Sequence, residues 1–399
     1  FFQAEDGIRD VERSRGLGDV YKRQDDDSGR YRCCSLSDKI HAESMEPARQ
    51  PLVERRFSNI LALDFSLIGD LVMLSPALRR LREAYPAAKI TLVGQPVAWE
   101  LFRAGNLVDD VVVWDKRGEE RGFGGLLRLA RHLRRKNYDA AFIFHRSFGS
   151  ALVAFLARIP VRVGYRHELR DFLLTHRVKQ PELPGHLTRE NLHLLDEVGI
   201  HGEETPVEVD VDSAFERSYL NRMKQRLEVN GRPIVVVCPL GGWPTKSWKP
   251  HLVNGLLDLF DVHVATFVIV GAPGEEQHSS EIYSVNNEVV NLVGRTTLRE
   301  MVYLVRKADV VVSPDTSVVH LAAAVGTPVV ALFGPTAAER CGPDPGAKAS
   351  VIYGNVNCLK CYLKRCNKEP FCMDTITPDE VKAEVDRYLA QRPAAGAAE

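Results

Sequence analysis

The sequence predicts an α/β protein: two doubly wound, Rossmann-like domains in tandem, with a cleft between them. Three observations carry this. Apolar runs rich in β-branched residues alternate with amphipathic helical stretches, as βαβ units do. The apolar runs are nearly continuous, as parallel strands buried on both faces require. They also fall into two groups, parted by a polar, acidic connection around EVGIHGEETPVEVDVDS. A chain of 399 residues is long enough for two cores.

Residues 1–44 stand outside this pattern. FFQAEDGIRDVERSRGLGDVYKRQ has no helical or strand periodicity and resembles translated read-through from a sequencing adaptor. Met45 reads as the natural start, and the segment is treated as a non-native or disordered extension. It has no apolar core of a signal peptide. The N-terminal domain is expected over 55–205. Its strands read as NILALDF (59–65), KITLVG (89–94), DVVVWD (110–115), DAAFIFH (139–145) and VRVGY (161–165). LVMLSPALRRLREAY and GGLLRLARHLRRK have helical spacing between them. Residues 206–231 read as the connection. A second set then fills a C-terminal domain over 232–392: PIVVVCP (233–239), HVATFVIVG (263–271), VVNLVG (289–294), DVVVSP (309–314), PVVALFG (328–334) and SVIYG (350–354).

In open sheets of this kind, ligands bind beyond the carboxyl ends of the strands, so the turns there matter most. After the first strand comes FSLIGDLVMLSPAL, with Ser66, Gly69 and Asp70 where strand gives way to helix. Gly69 suits a tight or left-handed turn. Asp70 falls at the cleft mouth, where it either caps the helix or acts as an acid–base group. CPLGGWPTKSWKP follows the first strand of the second set. Gly241 and Gly242 allow close backbone approach to a ligand, and Lys246 is a mobile cation suited to phosphate. Trp248 and Pro250 read as packing. In VGAPGEEQ, Glu275 and Glu276 enter the first turn of a helix, where the dipole favours acids. Glu275 is also placed to meet a ribose hydroxyl.

SPDTSVVHLAAAVGTPVVALFGPT, Ser313 to Thr336, reads as strand, turn, helix, strand. It gathers Asp315, Thr316, Ser317 and His320 at one helix N-terminus. Backbone N–H groups and the positive end of the helix dipole suit a diphosphate there. Further on, Cys358, Cys361, Cys366 and Cys372 are spaced CxxC-x4-C-x5-C, a pattern able to form a tetrahedral metal site. The spacing is tighter than common zinc layouts and no His joins it, so reduced or redox-labile thiols are the reading adopted and no metal is expected.

No uninterrupted apolar run is long enough to span a bilayer. Residues 51–190 hold 23 Lys and Arg against 15 Asp and Glu, whereas 191–399 hold 20 against 27. A basic N-terminal half suits an anionic partner such as a lipid phosphate or a membrane surface, or simply well-solvated Arg-rich helices.

Taken together, SLIGDLVMLSPAL, the Lys246–Trp248 pair, GAPGEE and PDTSVVHLAAAVGTPVVALFGPT with the cysteine-rich loop resemble the glycosyltransferase family 9 heptosyltransferases. The resemblance runs from about Phe57 to Leu389, with the motifs in the family's order. It implies a GT-B fold, with acceptor in the first domain and nucleotide-sugar in the second. It further implies metal-independent, inverting transfer from ADP-heptose to a lipid-linked oligosaccharide of the lipopolysaccharide inner core. The enzyme would work at the cytoplasmic face of the inner membrane, without a cofactor and without a nucleic acid partner. By resemblance, Asp70 matches the catalytic base, Lys246 the diphosphate-contacting lysine and Glu275 a donor-binding acid. Asp315, Thr316 and His320 match the donor turn. Ser317 stands where some members have Gly, and Gly241–Gly242 where others have a Thr pair, both near the donor phosphates. Two alternatives stay open: a GT-B transferase or epimerase using another nucleotide-sugar, and a non-catalytic nucleotide-sugar-binding protein. The first site loop lacks GxGxxG, which argues against a dinucleotide-dependent dehydrogenase.

Overall fold

A computed structural model describes residues 51–392, apart from 104, 116, 117, 119, 184, 228–230 and 263. The extension expected over 1–44 lies outside the described residues. Every strand read from the sequence is present. The first six are β1 (Asn59–Leu63), β2 (Lys89–Gly94), β3 (Asp110–Val113), β4 (Ala140–Ile143), β5 (Val161–Tyr165) and β6 (His176–Val178). The second six are β7 (Ile234–Val237), β8 (Thr266–Ile269), β9 (Val289–Asn291), β10 (Val310–Pro314), β11 (Val329–Phe333) and β12 (Ala349–Tyr353). β6 carries no sequence signal because it is a three-residue edge strand, His-Arg-Val, with one buried side chain.

The strands form two sheets, ordered β3-β2-β1-β4-β5-β6 and β12-β11-β10-β7-β8-β9. All pairings are parallel. Both sheets repeat one winding. The first strand lies inside, the chain steps outward to one edge, then returns to build the other side. Strand order therefore reverses between β1 and β4 and between β7 and β10. Loops leaving these strands diverge there and open a crevice. The inner strands are solidly apolar and fully buried: Ile60 to Leu63, Ala140 to Ile143, Val235 to Val237 and Val329 to Val330.

The two halves share a core. Leu71, Val72 and Leu74, on and just after the helix Ile68–Val72, join one apolar cluster with Val318, Val319, Leu321 and Ala322. The latter lie on the helix Ser317–Val325, and the two helices pack together. Each of these helices leaves a site loop, so the same contact that buries apolar surface brings the loops face to face. The acidic connection holds a helix, Ser213–Leu227, that packs on the helix Leu298–Lys307. The latter starts at a capping box made by Thr297 and Glu300.

Candidate active site

β1 ends in a turn in which Asp64 accepts a 2.7 Å hydrogen bond from the Ser66 N–H. The short helix Ile68–Val72 follows, with Asp70 in its first turn. Gly69 is helical rather than left-handed, contrary to the turn role its sequence context suggests. Its need for a bare backbone comes from the other half. A Cβ at Gly69 would lie 2.7 Å from Cδ2 of His320. Glycine here makes room for the imidazole.

His320 is 4% exposed. Burial drives its pKa down to about 4, against the pull of Asp315, with His186 and Lys246 adding to the fall. The ring is therefore neutral at physiological pH. One helical turn earlier, Thr316 is the N-cap, accepting a 3.2 Å bond from the Val318 N–H. Its hydroxyl also shares a 2.9 Å bond with Ser313. Ser317 is the first helical residue and is half-buried.

Asp315, 8% exposed, pairs with Lys246 at Nζ–Oδ2 2.7 Å. It also accepts from the Cys341 thiol at 3.6 Å. Burial and the Asp315 charge hold that thiol up to about 12, so it keeps its proton and stays a donor. Lys246 ends a short 3₁₀ turn, Pro244–Lys246, with Nζ 4.5 Å from the Trp243 ring centroid. The turn depends on Gly241, whose Cβ would come 2.7 Å from that of Lys246. Gly241 N–H also donates to Ser247 Oγ at 3.1 Å. Gly242 is exposed and faces open space. The loop is fastened from both sides by much later chain. Thr245 donates to the Leu363 carbonyl at 2.7 Å, and the buried Trp248 indole donates to that of Ile376 at 3.2 Å.

Asp70 is half-buried. Desolvation raises its pKa above the ordinary 3.8, and the Asp315 charge raises it further, while Arg340 and Lys246 pull it back. Asp315 and Lys246 thus act on both Asp70 and His320 across the crevice. Glu275 stands a step away. Its carboxylate accepts from the Ala272 N–H at 2.8 Å, inside its own turn. Its charge nonetheless reaches Cys238, which lies 4.0 Å from the Thr316 hydroxyl.

Sequence reasoning missed a second charged group. Glu190, on the helix Leu187–Asp196, is 3% exposed and pairs with Arg340 at 2.7 Å and also with Arg146. Arg340 belongs to the second half of the chain and Arg146 to the first. Nearby, His186 Nε2 lies 3.1 Å from the Gly342 carbonyl. The only sequence signal was an acid set on the apolar side of an amphipathic helix, which rarely stays buried unpaired. Cys358, Cys361, Cys366 and Cys372 are free, with Cys361 and Cys366 exposed. Among the described residues no three His, Cys, Asp or Glu side chains are grouped to hold a metal ion.

Two Rossmann-like domains facing each other across a crevice, with a carboxylate on one side and a cation at a helix N-terminus on the other, define a GT-B glycosyltransferase. The sequence profile of glycosyltransferase family 9 (heptosyltransferase) matches residues 126–371. The chain belongs to that family. It is 30% identical over 308 residues to lipopolysaccharide heptosyltransferase 2 of Escherichia coli K12, covering 73% of this chain and 87% of the relative. The solved structure of E. coli ADP-heptose lipopolysaccharide heptosyltransferase II aligns with a TM-score of 0.68 at 26% identity, over 84% of this chain and 99% of that one. A family 9 glycosyltransferase from Veillonella parvula aligns with a TM-score of 0.77 at 18% identity, over 85% and 99%.

Proposed function

We propose that the protein transfers heptose from ADP-heptose to a lipid-linked sugar of the lipopolysaccharide inner core, with inversion at the anomeric carbon. The observation that carries this is the packing of the Gly69–Asp70 turn against His320, beside the Lys246–Asp315 pair, where the two sheets reverse their strand order. Inverting transfer needs a base on one side of the sugar and a stabilised leaving group on the other. Asp70 takes the proton of the acceptor hydroxyl as that oxygen attacks the anomeric carbon. The bond to the ADP β-phosphate oxygen breaks on the opposite face. Lys246 and the N-terminus of the helix Ser317–Val325 receive the charge that develops on the diphosphate. Asp315 holds Lys246 in place, and Ser317 and Gly241–Gly242 line the approach to the phosphates. Glu275 reaches the donor ribose by leaving its own turn. This route uses only protein groups for charge stabilisation and calls on no resident cofactor.

Domain limits near 55–205 and 232–392 fit this division of labour, with acceptor on the first and donor on the second. The enzyme acts as a peripheral protein on the cytoplasmic face of the inner membrane, where its acceptor is anchored. Release of ADP from ADP-heptose in the presence of truncated lipopolysaccharide acceptors, with UDP-sugars as competitors, tests the donor. Complementation of bacterial strains blocked at successive heptose steps tests the acceptor. Turnover with a UDP-sugar in place of ADP-heptose overturns the assignment, and Ser317 makes that comparison worth running.

A further inference from the structure

Residues 121–173 hold eleven Lys and Arg, among them the buried Arg170, and three acids, Asp139, Glu168 and Asp171. Two of these acids are engaged internally: Asp139 accepts from the Ser58 and Asn59 N–H groups at 2.7 and 2.9 Å, and Asp171 pairs with Arg166 at 2.8 Å. The segment contains two helices, Gly122–Arg134 and Phe148–Leu156, packed side by side. On the second, Phe148, Leu152 and Phe155 recur at helical spacing and share a face. Phe148 is 41% and Phe155 43% exposed. The neighbouring 3₁₀ turn Glu168–Leu173 adds Leu169 and Phe172, 80% and 64% exposed. The rings of Phe148 and Phe172 lie 6.4 Å apart, so the apolar residues are contiguous. At the other end, the Arg162 guanidinium covers the Phe155 ring at 5.5 Å, and Arg134 and Arg158 border the same hollow.

We infer that this face docks the enzyme on an anionic bilayer, with Phe148, Leu169 and Phe172 entering the headgroup region and the arginines pairing with lipid phosphates. The inference rests on the lipid-linked acceptor proposed above and adds the place where protein meets lipid. Apolar side chains flanked by Arg are the composition of interfacial helices. The excess of basic over acidic side chains selects an anionic surface. Location supports the same partner. Phe148 and the 168–173 turn follow the carboxyl ends of β4 and β5, the edge at which the crevice opens. A sugar on a lipid anchor would thus approach the edge of the sheet that also carries Asp70.

The test is co-sedimentation of the full chain with phosphatidylcholine vesicles, with and without phosphatidylglycerol. Two independent variants are compared, Leu169→Asp/Phe172→Asp and Arg131→Glu/Arg134→Glu, all at exposed positions. The wild type is expected to bind the anionic vesicles and to be released by salt. Each variant should partition about tenfold more weakly or worse, with an unchanged melting temperature and unchanged turnover on a water-soluble truncated acceptor. Wild-type failure to bind anionic vesicles overturns the inference, as does full binding by both variants. A self-associating wild type made monomeric by Leu169→Asp/Phe172→Asp also overturns it, in favour of a subunit interface. Absence of heptose transfer to the soluble acceptor by the wild type counts against the proposed reaction alone and leaves the vesicle result standing.

Discussion

His320 and Gly69 touch across the crevice, ring against backbone, although 251 positions separate them in the chain. Gly69→Ala tests this contact. In an open helix the change would stabilise by up to about 1 kcal/mol. Here the added methyl meets the imidazole, and overpacking of this kind costs about 1–3 kcal/mol. A lower melting temperature and a lower kcat/KM are expected together. His320→Ser should recover part of the melting-temperature loss in the double variant, which a double-mutant cycle measures.

Asp70→Asn should lower kcat by about 10²–10⁴-fold while ADP affinity, read by calorimetry, stays near wild type. The raised carboxyl pKa gives a pH signature. Activity should rise with pH through a value above the ordinary 3.8 of an aspartate, because the base works only when ionised. Stability moves the opposite way. A folded-state pKa above the unfolded one means the stabilising contribution is complete below the unfolded pKa and is lost as pH rises through the folded value. Asp70→Asn should therefore melt higher than wild type at pH 8, with the difference vanishing in acid.

Lys246→Met removes the cation and strands a buried carboxylate at Asp315. Breaking such a pair typically costs about 3–5 kcal/mol, and losing the charge facing the diphosphate should lower kcat by about 10²–10³-fold. Lys246→Met/Asp315→Asn separates the two effects. Its melting temperature should return toward wild type while turnover remains lost.

Arg340→Gln removes one of the two arginines on Glu190 and one of the charges that hold the Asp70 pKa down. The acid limb of the kcat/KM profile should move to higher pH. Arg340→Lys should restore its position in part. A purely structural role would lower the melting temperature and leave the limb where it is.

Much of the fold was readable because parallel strands buried on both faces leave unbroken apolar runs such as Ile234–Val237, which need no alternation to be recognised. The site loops were readable for a related reason: each follows such a run directly. Asp70, Lys246 and Asp315 were candidates by residue type and position, and the family resemblance supplied their roles. Their mutual geometry could not be read from the sequence. Neither could Glu190 and Arg340, which are 150 residues apart and belong to different halves. Such a pair leaves no local periodicity, because its reason lies in the desolvation of the carboxylate. Gly69 shows a different limit. Its type was noticed and its purpose misjudged, since a glycine required by a neighbour looks the same in sequence as one required by a turn.

The fastening of the Lys246 loop to Leu363 and Ile376 has a wider consequence. Those carbonyls flank the stretch from Cys366 to Cys372, so this segment works as a splint for Lys246. Shortening it, cross-linking its thiols or exchanging it with that of another family member would retune Lys246 without altering any residue of the crevice. Chimaeras that swap only the crevice loops would inherit the wrong splint.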